Sequence, residues 1–452
     1  MLKKISFVSL LLALILFLVN FFFFDFSSLT NPYSSGCTSK VMTVPVPMEP
    51  TSKSVLLINL DTDSVIFEKN SAEKLPIASL TKVITALVVL DKVKDLDTQI
   101  PVKKELIRSL DGTGSSLSGI IAGEILTPKQ LLHCLLITSG NDAALILADY
   151  VGGGSVENFV NMMNEKALSL GCRNTHFTNP HGLDEDDHYS TAKDLCLIAK
   201  NAMKNSLLME IASTTTSKIL GDKRYPLVTT NSMIDKARGG KYFYKYAKGI
   251  KTGYSSKAGK CLISTASNGE YSYLCIVLGG FSEKKDENVA MLESKELYQW
   301  AFDNLQLRRL ASHDSPIGEV KLKLSWKNKK LLLVPSKDYS VMLPKDILAS
   351  SIDYKLDAPD CVLAPIKSGQ TIGKATLSYA NTPVAIIDLV CEKDIKRSNI
   401  LLIFYVLSSF LGSIWFRLAL AILLTLFLVY VVLFVRRNKL KKRKKYSKKR
   451  YL

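Results

Sequence analysis

Histidine, tryptophan and paired cysteine are scarce in this chain. Five His and three Trp occur in 452 residues, and the eight cysteines (Cys37, Cys134, Cys172, Cys196, Cys261, Cys275, Cys361 and Cys391) include no C-x-x-C pair and no His at zinc spacing. No metal and no cofactor is therefore implied. Cys275 lies within Tyr273-Leu274-Cys275-Ile276-Val277, where a buried free thiol is the simplest expectation. One pairing, Cys361 with Cys391, stays open. There is no internal repeat long enough for a solenoid. Acid is absent from residues 436–452, whose eleven Lys and Arg account for all but +7 of the +18 net charge. Because this basic tail directly follows a long apolar run, it reads as the cytoplasmic flank of a membrane segment and not as a nucleic-acid-binding arm.

The length allows two soluble domains plus membrane segments. Lys3 and Lys4 precede a nearly unbroken apolar run from Ile5 to Phe24, so residues 1–27 are expected to be a signal peptide or an N-terminal anchor. No A-x-A site follows closely, which leaves cleavage and retention both open. Cys37 follows Ser34-Ser35-Gly36 without the Leu of a lipoprotein acceptor, and lipidation is not expected. Residues 28–47, with their Ser, Thr and Pro, read as a linker.

A folded unit over 48–305 opens with strand-like Ser54 to Leu60 and Ser64 to Glu68 around the turn Asp61-Thr62-Asp63. Helical periodicity follows at Leu80 to Leu90, Leu131 to Leu136, Ala143 to Val151, Val156 to Leu170 and Ala192 to Met203. Gly259 to Ala266 and Tyr271 to Gly279 form a hairpin through Asn268-Gly269. Strands at both ends around a helical middle give an α+β domain closed by chain-distant strands. Residues 306–395 alternate in short runs and read as a small β domain, in which Lys367-Ser368-Gly369 is a turn. Residues 396–417 are expected at the membrane interface, 418–435 as a transmembrane helix and 436–452 as a cytoplasmic tail. The eighteen residues from Leu418 to Val435 reach about 27 Å at ~1.5 Å per residue, close to the hydrocarbon thickness of about 30 Å.

Ser79-Leu80-Thr81-Lys82 places a hydroxyl and an amine three residues apart at the start of an apolar helix, on one face. Lysine serves a serine nucleophile as base when burial lowers its pKa, and the helix N-terminus adds positive potential behind the hydroxyl. Spacing alone is weak, since Ser71-Lys74, Ser190-Lys193 and Ser282-Lys285 share it; only Ser79 is presented from a core helix, Val83 to Leu90. Ser139-Gly140-Asn141 is the one Ser-x-Asn of the chain, and by itself reads as a helix N-cap. Lys251-Thr252-Gly253 by itself reads as an exposed turn. The three in this order within one α+β unit are the triple of penicillin-binding proteins and β-lactamases.

With Gly114-Ser115-Ser116, Gly123-Glu124, Asn141-Asp142-Ala143-Ala144, Asn179-Pro180-His181-Gly182-Leu183-Asp184 and Tyr189-Ser190-Thr191-Ala192, the stretch 48–305 resembles the low-molecular-mass penicillin-binding proteins of the D-alanyl-D-alanine carboxypeptidase family. That resemblance implies a penicillin-binding/β-lactamase-like transpeptidase domain, an antiparallel sheet with helices. It also implies that the β domain after it is the family's second domain. Ser79 would attack the penultimate D-Ala carbonyl of peptidoglycan stem peptides ending in D-Ala-D-Ala. Lys82 would take its proton, and Ser139 with Lys251 would relay a proton to the departing D-Ala. Asn141 would hold the substrate amide, Lys251 and Thr252 its carboxylate, and Gly253 would let the strand approach closely. The backbone N–H groups of Ser79 and Tyr254 would form the oxyanion hole. β-Lactams would inhibit by acylating Ser79, and the catalytic domain would lie outside the cytoplasmic membrane on a single C-terminal span. His181 is expected to be structural.

Two rivals remain. A serine β-lactamase needs a water-activating Glu, and Glu165-Lys166-Ala167-Leu168-Ser169 approaches the class A motif; yet Glu165 falls on the polar side of the helix carrying Phe159, Met162 and Met163, and Ser replaces Asn. A catalytically silent wall-binding homologue should have lost motif residues, and this chain keeps all of them. Endopeptidase action on cross-links uses the same residues and stays open.

Overall fold

The structure, a computed structural model, describes Val46 and residues 48–221, 224, 226–284 and 287–448. The expected N-terminal segment, most of the linker and Cys37 lie outside these. Strands β1 (Ser54–Asn59), β2 (Ser64–Lys69), β3 (Ala247–Ser255), β4 (Gly259–Ser267) and β5 (Ser272–Gly280) form a five-stranded sheet in the order β2-β1-β5-β4-β3, each pairing antiparallel. The first hairpin thus docks on the last strand, and the helical layer comes from the intervening residues 70–246.

Both faces of the sheet are covered, and the pleat sorts its side chains accordingly. Leu56, Ile58, Ile263, Leu274 and Ile276 join the core beneath the helices α1 (Lys82–Lys92), α2 (Pro128–Ile137), α3 (Asn141–Val151), α4 (Val156–Ser169), α5 (Ala192–Ala202) and α6 (Ser206–Ala212). Their neighbours Val55, Leu57, Leu262, Tyr273 and Cys275 face α7 (Val289–Asn304), where Tyr244 stacks on Tyr298. The predicted helices fall within a few residues of α1 to α5. Short α6 and long α7 went unread, α7 because its apolar residues are interspersed with charges.

The second domain begins without a break after α7 at β6 (Leu305–Ala311). It continues through β7 (Gly318–Lys323), β8 (Lys330–Pro335), β9 (Tyr339–Pro344), β10 (Asp353–Asp357), β11 (Cys361–Leu363), β12 (Thr371–Tyr379) and β13 (Thr382–Cys391). A six-stranded sheet, β10-β12-β13-β8-β7-β11, packs with the ladder β6-β9 around a separate core. Lys367-Ser368-Gly369 is a turn, with Gly369 at φ +77°. All seven described cysteines, Cys361 and Cys391 included, are free thiols.

Two apolar helices follow. In α8 (Asn399–Gly412) the Ser398 hydroxyl accepts from Leu401 N–H, and Leu401 and Leu402 pack on the second domain's core. After Ser413, in extended backbone, the chain continues as α9 (Ile414–Lys448), and its stretch Phe416–Leu440 is long and apolar enough to cross a membrane.

Candidate active site

The turn before α1 sets the nucleophile. Ala78 to Thr81 form one 3-10 turn, and Ala78 holds φ +47°, a left-handed conformation costing a non-glycine residue on the order of 1–3 kcal/mol. Ser139, the first residue of the second motif, is the other such residue here, at φ +63°. Gly182, at φ +89°, lies flush against the turn: a Cβ there would sit 2.0 Å from the Ala78 carbonyl oxygen. Only glycine allows both the backbone angle and the contact.

Lys82, fully buried, lies one helical turn from Ser79 as the spacing predicted. Its Nζ is 2.8 Å from Ser79 Oγ, 2.7 Å from Asn141 Oδ1 and 2.7 Å from the His181 carbonyl oxygen. The last two can only accept. A neutral amine has two N–H groups for them and a lone pair left for the Ser79 O–H, which is the valence a base needs. Burial pushes the Lys82 pKa well below the usual lysine value, and the Lys251 charge pushes it further; Asp142 pulls the other way.

Asn141 opens α3 with Gly140 as the N-cap residue, and neither Ser139 nor Asn141 caps the helix through its side chain. The simple N-cap reading therefore fails, and the Asn141 amide is turned to Lys82. Ser139 is 5 % exposed and its hydroxyl bonds neither Lys82 nor Lys251. Asp142 accepts from the Ser118, Ile120 and Ala143 amides, pinning the 116–120 loop beside the site.

Lys251-Thr252-Gly253 lie inside β3, at the outer edge of the sheet, and not in an exposed turn. Lys251 is buried, donates to the Thr252 carbonyl at 2.9 Å, and is lowered by desolvation to about 7. The Thr252 hydroxyl pairs with Thr230 at 2.6 Å. Gly253 touches the nucleophile turn, since a Cβ there would lie 2.9 Å from the Ile77 oxygen and 3.3 Å from the Ser79 nitrogen. Tyr254 is 63 % exposed with the Lys260 ammonium 3.8 Å from its ring centroid, so its side chain lies at the surface while its amide stays in the strand.

Among the described residues, none of the second domain bonds to Lys82 or Lys251. Glu165 is exposed on α4, as its helical phase required. Sequence reasoning missed the His181 carbonyl as a Lys82 partner, because a backbone acceptor leaves no trace in residue type. It also missed Thr81 and His188, whose rings and hydroxyls meet behind the turn; Thr81 stood inside the first motif and His188 two residues before Ser190.

Residues 40–282 match the D-alanyl-D-alanine carboxypeptidase family, and residues 306–397 match the C-terminal domain of penicillin-binding protein 5. The chain belongs to the D-alanyl-D-alanine carboxypeptidase family. It is 31 % identical to the D-alanyl-D-alanine carboxypeptidase DacF of Bacillus subtilis, over 77 % of this chain and 87 % of that protein. It is 29 % identical to the D-alanyl-D-alanine carboxypeptidase DacC of Escherichia coli, over 80 % of this chain and 86 % of that one. Penicillin-binding protein 5 of Haemophilus influenzae shares its fold, with a TM-score of 0.65, 24 % identity, and coverage of 78 % of this chain and all of that one. This member of the family is thus a serine-type D-alanyl-D-alanine carboxypeptidase, and the β-lactamase and silent-homologue readings are not favoured.

Lys251 makes stability pH-dependent with a definite sign. Lys251 binds its proton near pH 7 when folded and near 10.5 when unfolded, so between those values the unfolded chain holds the extra proton and stability rises with pH. Below about 7 both states are protonated and this contribution is flat. The melting temperature of the native protein, relative to Lys251→Met, should climb from pH 7 to 9.5; a difference independent of pH would refute the assignment.

Proposed function

We propose that this protein removes the terminal D-Ala from peptidoglycan stem peptides outside the cytoplasmic membrane, through an acyl-enzyme on Ser79. The observation that carries the reading is the Lys82 amine at 2.8 Å from Ser79 Oγ with two acceptor-only partners beyond it. Lys82 takes the Ser79 proton as Oγ attacks the penultimate D-Ala carbonyl. The amide N–H groups of Ser79 and Tyr254 receive the oxyanion, at about 3–4 kcal/mol per donor. Asn141 holds the peptide amide. Lys251, charged when a carboxylate arrives, and Thr252 receive the substrate's terminus. Burial, reinforced by that charge, keeps Lys82 neutral, so the two lysines divide binding from base catalysis. As the tetrahedral adduct collapses, the proton taken by Lys82 is relayed through Ser139 with Lys251 to the leaving D-Ala, which returns Lys82 to its neutral form, and water then hydrolyses the ester. β-Lactams acylate the same serine. Incubation with a pentapeptide ending in D-Ala-D-Ala should release free D-Ala, and fluorescent penicillin should label one peptide, that containing Ser79. No label, or label on another residue, defeats the reading.

We further propose a single span over 418–435 with the 436–452 tail in the cytoplasm and both soluble domains outside. Helix α9, at 35 residues, extends about 52 Å, so its basic end projects beyond a hydrocarbon layer of about 30 Å. A helical hairpin would require α8 to span as well, and its 14 residues reach only about 21 Å. It would also export the eleven tail cations, against the positive-inside tendency. The interface therefore suits 396–417. In a cysteine-free background, a thiol at Asn438 should resist a membrane-impermeant reagent in intact cells and react after lysis. Reaction in intact cells would reverse the topology.

A further inference from the structure

The Ala78–Ser79 peptide bond is trans, so its carbonyl and its N–H point in opposite directions, and whatever holds one aims the other. On the carbonyl side the Thr81 hydroxyl donates to Ala78 O at 2.9 Å. That hydroxyl is in turn 2.7 Å from Nε2 of His188, a ring only 3 % exposed. The direction of each bond follows from the far end. The Thr178 backbone N–H can only donate, and it lies 3.1 Å from His188 Nδ1. Nδ1 must therefore accept, Nε2 carries the hydrogen and donates to Thr81, and the Thr81 proton is left for Ala78. On the opposite side of the peptide, Gly253 of β3 approaches the Ser79 nitrogen.

We infer that His188 is a positioning residue for acylation: acting through Thr81, it clamps the Ala78 carbonyl and so aims the Ser79 N–H at the oxyanion forming between the turn and β3. The inference rests on the Ser79 acyl-enzyme reading above. The clamp accounts for the left-handed Ala78 just before the nucleophile, and for the close fit of Gly182 over the same carbonyl. Burial, against the opposing pull of Glu185, keeps His188 neutral, at about 4, which preserves the one tautomer the chain of bonds requires.

The test uses the full-length protein and stopped-flow acylation by fluorescent penicillin, resolved into the affinity of the first complex and the acylation rate constant. Gln places an amide N–H near Nε2 and keeps the donor; Leu removes it. Thr81→Ser keeps the hydroxyl and Thr81→Val removes it at constant shape. His188→Leu and Thr81→Val should lower the rate constant roughly 10–100-fold with the first complex little changed, whereas His188→Gln and Thr81→Ser should stay near native. Native rates in the Leu and Val proteins would overturn the inference. So would equal losses in all four, which would mark a packing role. Should His188→Leu fail to fold, the Thr81 pair decides alone. Absence of Ser79 labelling in the native protein is a different result, and it would overturn the acyl-enzyme reading itself.

Discussion

Lys82→Met should acylate with penicillin 10²–10⁴-fold more slowly than the native protein, roughly the contribution of a positioned general base, while Ser79→Ala should carry no covalent label at all. Met matches the length of the lysine stem and removes only the amine. Two buried acceptors, Asn141 Oδ1 and the His181 carbonyl, then lose a donor, at about 1–3 kcal/mol each. The desolvation of a buried amine is relieved at the same time, so the two effects oppose and the fold should survive with a modest change in melting temperature. A base is expected to act on the chemical step and not on the preceding encounter. Saturation kinetics should therefore show a reduced acylation rate constant with a nearly unchanged first complex. Native-like acylation by Lys82→Met would transfer the base role elsewhere. Lys251 is the group to examine in that event, being the other buried lysine of the site and already held at about 7.

The same lysine shows what the sequence carried and what it did not. Its i,i+3 offset from Ser79 and the apolar run after it located both groups on one face, because helical geometry is local and periodic. The order of the three motifs located the site, and Asn268-Gly269 located the hairpin beside it. Nothing local could say that the hairpin β1-β2 docks on β5, since that pairing is decided by burial of both faces across some 200 residues. Lys251 to Gly253, read by themselves, looked like a turn because a lysine and a glycine are poor strand residues; they fit β3 because it is an edge strand packed against the nucleophile turn. The left-handed Ala78 and Ser139 were likewise invisible, being the non-glycine exceptions that propensities exclude. Helix α4 was read correctly from its phase alone, which put Glu165 in solvent and weakened the β-lactamase alternative.

Gly253→Ala should reduce acylation by roughly 10²-fold, the scale of one misplaced oxyanion donor, with little loss of stability. The glycine is not in the left-handed region, so alanine suits its backbone angle and the whole effect comes from contact. The added methyl would lie 2.9 Å from the Ile77 carbonyl oxygen, 3.3 Å from the Ser79 nitrogen and 3.4 Å from Ala78 Cβ. None of these is the end of a flexible side chain that can swing aside. Relief must come from moving β3 away from the nucleophile turn, or the turn away from β3, and either motion opens the gap in which the Ser79 and Tyr254 amides are proposed to converge. A shift of a few tenths of an ångström costs little in a strand at the sheet's edge, but it degrades two donors at once. Gly269, in the hairpin at φ +97° with nothing within 4 Å of its Cβ position, supplies the opposite control. Gly269→Ala should lower the melting temperature through backbone strain of about 1–2 kcal/mol and leave acylation unchanged. Penicillin acylation rates and thermal melts of the two variants, measured side by side, decide the matter. Native acylation by Gly253→Ala would mean that the close approach of β3 is packing without catalytic consequence.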